Sequence, residues 1–566
     1  MYEKKPWLKF YNNIPETIDY PRVTMYEALM RTVELYHERI AYDYLDYTST
    51  YRKFGSEIDS CANALAGIGM KKGDTITIAM PTCPQGIICF YAANKLGVVA
   101  SMIHPLSTVK EITYYLNVAH SRHVLVMEEH YGKLKDVGDE VPLEALILAR
   151  PSDFHPDMQK TESTNRHPDP RVHFWTDIMT TSYPEAPRAR MDTHEMAVIL
   201  YSGGTTGFPK GIMLSNYNFI SEGMMAAAWG MKAIQDLSVL VILPIFHGFG
   251  LGIACNATFM CGGKAILVPR FTPETFAELI KSKRPSYITG VPTLYDALSR
   301  NPVFQTADLS CLKTARCGAD TLPRTVKERF EEIVRRQGGD VKLLEGYGLT
   351  EAVTGIMSTP FDGYREGSVG IPYPDMLAKV VKIGTTEETA VGEEGELCVS
   401  GPAVMRGYLG QPEETAETLR KHEDGRIWLH TGDIFTMDDD GYFYFKLRLK
   451  RMIKSSGMNV YPAQVEDILR QHPDVLDACV IGVPDQAQVE RVKAFVMLKD
   501  RSKESPEMAQ SLIVHCREHL IKWSCPRDVE FRESFPLTRV GKTAYTVLEQ
   551  EEVAKLKAEG KYIGGK

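Results

Sequence analysis

The sequence has no CxxC pair among its 11 cysteines, no internal repeat and no low-complexity block. Cysteines scattered in this way argue against a disulfide scaffold or a zinc ribbon and fit reduced thiols. Positive charge is not in excess. Lys and Arg number 65 against 73 Asp and Glu, for a net charge of -8. That balance argues against a nucleic-acid partner, whose phosphate backbone calls for a surplus of cations. A basic pocket for one nucleotide is still compatible with it. The opening Met1-Tyr2-Glu3-Lys4-Lys5 is not followed by an apolar run of the secretory kind, so a cytoplasmic location is expected. Leu237 to Gly263 holds no Asp, Glu, Lys or Arg, but Pro244 and the glycines at 248, 250, 252, 262 and 263 interrupt it. It is expected to form a buried strand, a turn and a small-residue helix, with no transmembrane segment.

What the sequence does contain is an ordinary globular composition, 44% hydrophobic and 24% charged, over 566 residues. Such a chain is too long for one core, at roughly 150 residues per domain. Apolar runs at Thr75–Met80, Val98–Met102, Ala197–Tyr201, Val239–Leu243, Ala265–Val268 and Tyr287–Val291 alternate with helical patterns. One of these, Thr24–Tyr36, opens with a Thr24/Glu27 capping box. The alternation predicts an α/β fold with parallel sheets. Asn165–Pro187, rich in proline and poor in apolar residues, is expected to be a surface connection. After Asp438–Asp440 the chain turns basic, and the last stretch has the size of a small α+β domain with a helix after Pro462 and strands near Cys479–Val483 and Lys493–Leu498. The expected division is a large domain of parallel β/α subdomains over 1–445, a hinge at 446–451, and a small mobile domain over 452–566.

Ser202-Gly203-Gly204-Thr205-Thr206-Gly207-Phe208-Pro209-Lys210-Gly211 follows an apolar strand pattern. Glycines allow backbone N–H groups to approach phosphate oxygens, hydroxyls add neutral donors, and Lys210 adds a mobile charge. A flexible linker would not need Pro-Lys-Gly between two strand-like runs. The loop is not a Walker A motif, because Gly211 follows Lys210 where Ser or Thr is required. The loop resembles the phosphate loop of the adenylate-forming superfamily, which includes acyl-CoA synthetases, aryl-CoA ligases, firefly luciferase and peptide-synthetase adenylation domains. The likeness spans essentially the whole chain, and Lys5-Pro6-Trp7, Val291-Pro292-Thr293-Leu294-Tyr295 and Met458-Asn459-Val460-Tyr461-Pro462 resemble the branch of bacterial long-chain fatty acid–CoA ligases.

The resemblance implies roles for residues elsewhere. Glu345-Gly346-Tyr347-Gly348-Leu349-Thr350-Glu351 looks like the second nucleotide motif: Tyr347 stacks on adenine, Thr350 meets the α-phosphate, and Glu351 holds Mg²⁺ against ATP. Asp433, in Thr431-Gly432-Asp433, and Arg448 correspond to the ribose-binding pair. Lys542, after Gly541, resembles the lysine that screens negative charge as a carboxylate attacks the α-phosphorus. Lys450 matches the hinge position, Lys454 falls in the basic strip beside it, and Gly457 would join the pantetheine tunnel for coenzyme A. His247, in Phe246-His247-Gly248, replaces the Asp with which amino-acid-activating relatives hold an ammonium. Gly290, Val291, Gly318 and Ala319 are candidates for the substrate wall, the last two also beside the nucleotide. The implied reaction joins a carboxylic acid, best a fatty acid, to CoA through an acyl-adenylate. An aryl acid, a carrier-protein acceptor and a non-catalytic homologue remain alternatives. Peripheral membrane contact is compatible with a fatty substrate. Leu447, Arg451 and Tyr545 depart from the family's usual residues.

Overall fold

A computed structural model describes residues 2–137, 140–154, 167–202, 209–270, 272–455, 458–460, 462–485, 489–537, 543–560 and 562. The chain forms two compact units. The first comprises Met1–Lys379, Cys398–His430 and Asp440–Tyr442; the second comprises Val380–Leu397, Thr431–Asp439 and Phe443–Lys566.

Two large sheets organise the first unit. The nine-stranded sheet runs in the order Ile371–Pro372, Gly355–Ser358, Leu343–Gly348, Thr314–Cys317, Tyr287–Gly290, Ser238–Val241, Lys264–Leu267, Ile40–Tyr44, Tyr47–Thr50. Its central strands, from Leu343–Gly348 to Ile40–Tyr44, pair in parallel. The continuous apolar runs suit strands covered on both faces. Their side chains pack with Phe276, Tyr295, Phe304 and Phe330 from the flanking helices into one core. The eight-stranded sheet runs Gly407–Tyr408, Gly211–Ser215, Met196–Tyr201, Val99–Met102, Thr75–Ala79, His123–Met127, Ala145–Ala149, Val172–Phe174. Helix Met25–Leu35 starts at the expected capping box, with Thr24 accepting from the Glu27 N–H and Glu27 accepting from the Thr24 N–H.

The segment expected to be a bare surface connection is partly structured. Val172–Phe174 adds the edge strand to the eight-stranded sheet, and helix Trp175–Thr180 buries Trp175 and Ile178. Two well-placed large side chains outweighed a polar composition that averaged them away. The charge-free stretch resolves into strand Ser238–Val241 and a helix over Phe249–Ala257, as expected, but that helix is a π-helix. No helix among the described residues is long and apolar enough to cross a membrane.

The second unit holds a mixed sheet ordered Met458–Val460, Ile453–Ser455, Val489–Leu498, Val475–Asp485, with Asp528–Phe531 parallel to Val489–Leu498. Helices Pro462–Gln471 and Pro506–His519 contribute Val465, Leu469, Leu512 and Cys516 to its core.

Candidate active site

In an open parallel sheet, ligands meet the carboxyl ends of the strands, where backbone and loop groups converge. The candidate residues of the first unit lie at such ends. Strand Thr314–Cys317 leads into Gly318 and Ala319, strand Tyr287–Gly290 into Val291, strand Ser238–Val241 toward His247, and Met196–Tyr201 into Ser202. Gly318 donates its N–H to the Gly290 carbonyl at 3.2 Å. Ala319 takes φ +73, a left-handed turn that carries the chain off the sheet edge.

Ser202 and Lys210 frame the phosphate-type loop. The Ser202 N–H donates to the Lys210 carbonyl at 3.1 Å, and the flanking strands pair Tyr201 with Gly211. Gly203, Gly204, Thr205, Thr206 and Gly207 lie outside the described residues. Lys210 forms an ion pair with Glu414 and stands over the Tyr408 ring, 4.8 Å from its centroid. The Tyr408 hydroxyl donates to Glu351 Oε1 at 3.0 Å, and the Glu351 carbonyl accepts from the Met405 N–H at 2.8 Å. One aromatic side chain thus joins the cation of the loop to the carboxylate of the second motif. Burial, helped by the charge on Glu351, raises the Tyr408 phenol, so it stays a donor.

The second motif is a strand that ends in a strained turn. Leu343–Gly348 pairs antiparallel with Gly355–Ser358, setting Gly346 opposite Ser358 and Gly348 opposite Gly355. Gly348 is required, because a Cβ there would overlap the Thr354 carbonyl. The turn Thr350–Ala352 is followed by Val353 at φ 64, ψ -65. A β-branched residue in that region costs about 1–3 kcal/mol. The strain is held by the Leu349 N–H donating to the Thr354 carbonyl at 2.8 Å and the Val353 N–H donating to Thr350 at 3.1 Å. Tyr347 and Thr350 are half-buried. Burial raises the Glu345 carboxyl to about 7, with Lys327 pulling it down. Beneath the motif, buried Arg316 donates to Ser358 Oγ at 2.8 Å and to the Thr359 carbonyl at 2.7 Å.

His247 begins the turn into the π-helix. Its Nδ1 accepts from the Phe249 N–H at 3.2 Å, and its carbonyl accepts from the Leu251 N–H at 2.9 Å. Gly248 packs so closely that a Cβ would overlap the Val353 carbonyl, which joins the substrate-side turn to the end of the nucleotide motif. Phe249 faces Gly318, where an added Cβ would meet its ring at 3.6 Å. Glu222, from helix Asn216–Ala228, lies behind Gly252 and is fully buried. Neither carboxyl oxygen has a hydrogen-bond partner among the described residues, the Gly355 amide lends little help, and burial pushes the group up to about 8.

In the second unit, Asp433 and Arg448 are cross-strand partners, with Arg448 Nε 3.3 Å from Asp433 Oδ1. Asp433 is buried, and its N–H donates to Thr431 Oγ at 3.1 Å. The unusual residues nearby are explained by packing. Leu447 is buried with Ile434 and Met452. Arg451 donates to Glu466 Oε1 at 2.6 Å and lies 4.5 Å from the centroid of the Tyr545 ring. Two departures are therefore one contact. Lys450 falls in the short turn Leu449–Arg451 and Lys454 in strand Ile453–Ser455, while Gly457 and Lys542 lie outside the described residues. Tyr408, Glu414 and Arg316 escaped the sequence reading. Their partners are distant in the chain, and no local pattern marks them.

The model of the AMP-binding enzyme family matches residues 29–409, and that of the AMP-binding enzyme C-terminal domain matches 464–542. The chain is 34% identical to a long-chain-fatty-acid–CoA ligase of Bacillus subtilis (strain 168), over 98% of this chain and 99% of the relative. It is 32% identical to the enzyme of the same name from Escherichia coli O157:H7, with 98% and 99% covered. Among solved structures, the ATP-bound RpMatB-BxBclM chimera B1 superposes with a TM-score of 0.83 at 25% identity, covering 94% of this chain and 99% of that one. Family-model matches over residues 29–409 and 464–542, with relatives more than 30% identical along nearly the whole chain, lead to one conclusion: this chain belongs to the AMP-binding enzyme family.

Proposed function

We infer that the protein is an AMP-forming fatty acid–CoA ligase. It activates a carboxylic acid with ATP to an acyl-adenylate, releasing pyrophosphate, and passes the acyl group to coenzyme A, releasing AMP. The observation that carries this reading is the Lys210–Tyr408–Glu351 chain, which brings a phosphate-seeking cation and a metal-competent carboxylate to one place beside the substrate-side turn. Curated relatives named long-chain-fatty-acid–CoA ligases support the fatty acid and the CoA acceptor.

The roles follow from charge. The barrier to adenylation is the repulsion between a carboxylate and the α-phosphate. Lys210 and the loop amides neutralise the outer phosphates, and release of Lys210 from Glu414 frees it for this. Glu351 fits Mg²⁺ as a hard oxygen ligand set on the same side of the loop as Lys210, and the ion would supply Lewis-acid screening of the phosphates. Tyr347 offers a ring to adenine, with Glu345, Gly346, Gly318 and Ala319 around it. Asp433 and Arg448 take the ribose hydroxyls. His247 orients the carboxylate, and Lys542 screens the attack. A hinge at 446–451 would then exchange Lys542 for the face carrying Gly457, because thiol and lysine need the same approach.

Pyrophosphate release measured over acids of graded chain length, with and without CoA, tests the reading. A long-chain optimum with CoA-dependent thioester is expected. No release with any acid refutes the enzyme, and release without CoA thioester refutes the acceptor. Lys542→Ala should abolish adenylation yet leave CoA attack on supplied acyl-AMP largely intact. Equal loss of both would contradict the hinge.

A further inference from the structure

The first unit buries a thiol and two imidazoles together. Cys398 lies on strand Gly395–Ser400 and His430 on strand Ile427–Met437, while His422 follows strand Leu419–Lys421. All three are buried, and one ligand atom of each lies within 4.8 Å of the others. His422 and His430 face each other at 3.0 Å between Nε2 atoms. His422 is fixed from its other sides. Its N–H donates to the Arg426 carbonyl at 3.0 Å, its carbonyl accepts from Gly425 at 3.0 Å, and its ring packs on the fully buried Trp428. Its Nδ1 is buried with no partner among the described residues. A hydrogen-bonded core would not leave that atom orphaned while setting two imidazoles edge to edge beside a thiol.

We propose that Cys398, His422 and His430 form a binding site for a soft, monovalent d¹⁰ cation, with Cu(I) as its chemical type. Thiolate and imidazole select such ions over hard cations. Charge decides between the soft ions. A thiolate with a monovalent ion is neutral, whereas Zn²⁺ with the same ligands leaves a net positive charge in a buried place. Lys379 and Arg420 already oppose positive charge at His422, and the acid acting in the other direction, Asp424, is exposed. Binding releases the thiol proton to solvent, and the imidazole that donates in the His–His contact shifts its proton to Nδ1. Two imidazole nitrogens on one ion at ~2.0 Å stand about 3.4 Å apart, so the pair opens by only about 0.4 Å.

The test is anaerobic titration of the full-length protein with Cu(I) in competition with bicinchoninate. Wild type should withhold one ion per chain that neither Cys398→Ser nor His422→Asn withholds, the affinity falling by about 100-fold or more. His422→Asn, at the mouth of a turn, carries the test if Cys398→Ser is unstable. A His515→Ala, His519→Ala variant removes the half-exposed His515–Glu518–His519 group and should retain the ion. Unchanged retention in Cys398→Ser and His422→Asn, loss in the His515/His519 variant, or tighter retention of Zn²⁺ than Cu(I) overturns the proposal.

Discussion

Glu222 gives the structure a measurable pH dependence. A carboxyl raised from 4.5 to about 8 by burial binds its proton more tightly folded than unfolded. Above pH 4.5 the unfolded state releases that proton first, so stability is fully present below 4.5, falls as pH rises, and stops falling above about 8. The whole effect is about 4–5 kcal/mol, of which about 2 kcal/mol falls between pH 6 and 8. Glu222→Gln carries no proton to lose. Its buried amide adds a cost of its own, but that cost does not change with pH, so the comparison is of slopes. Thermal unfolding of wild type and Glu222→Gln at pH 6 and pH 8 should show the wild-type midpoint falling by roughly 2–3 °C more than that of the variant. Glu345, raised to about 7, contributes equally to both proteins and cancels. Identical slopes would refute a buried, unpartnered carboxyl at this position.

Tyr408→Phe keeps a ring under Lys210 but removes the hydroxyl from Glu351. A hydrogen bond to a carboxylate at a half-buried site is worth about 1.5 kcal/mol, so kcat/KM for pyrophosphate release should fall about 10-fold. Gly348→Ala forces a Cβ into the Thr354 carbonyl, and ATP binding by calorimetry should be lost while the second unit still unfolds at its own temperature. Arg448→Lys gives up the planar fork facing Asp433, and the KM for ATP should rise about 5-fold with kcat little changed. Arg316→Met leaves the Thr359 carbonyl and Ser358 hydroxyl buried without their donor, for a loss of about 3 kcal/mol in the stability of the first unit.

The parts of the fold that were legible in sequence are those carried by local pattern. The Thr24/Glu27 capping box and the runs at Thr75–Met80 and Ala265–Val268 name their elements because the cause lies within a few residues. Trp175 and Ile178 were hidden because two buried side chains do not change the average of a polar segment. The candidate site divides in the same way. Tyr347 and Glu351 stand in one motif and are visible together. Tyr408 is brought to them by strand Gly407–Tyr408, which joins the sheet edge beside Gly211–Ser215, a pairing that no spacing encodes. The strain at Val353 was equally silent, because a valine in a left-handed turn runs against its own preference.

The Arg451–Tyr545 contact bears on how pieces of such enzymes can be recombined. Residue 451 belongs to the strip between the matched family regions, and residue 545 opens the last helix, three positions after Lys542. A chimera that places an acidic residue at 451 while keeping Tyr545 sets a carboxylate beside Glu466 with no guanidinium between them. A chimera that imports an arginine at 545 while keeping Arg451 sets two guanidinium groups against each other. Only a graft that carries both positions preserves the pairing, so the two sites are inherited as one unit although most of the second unit's sequence separates them.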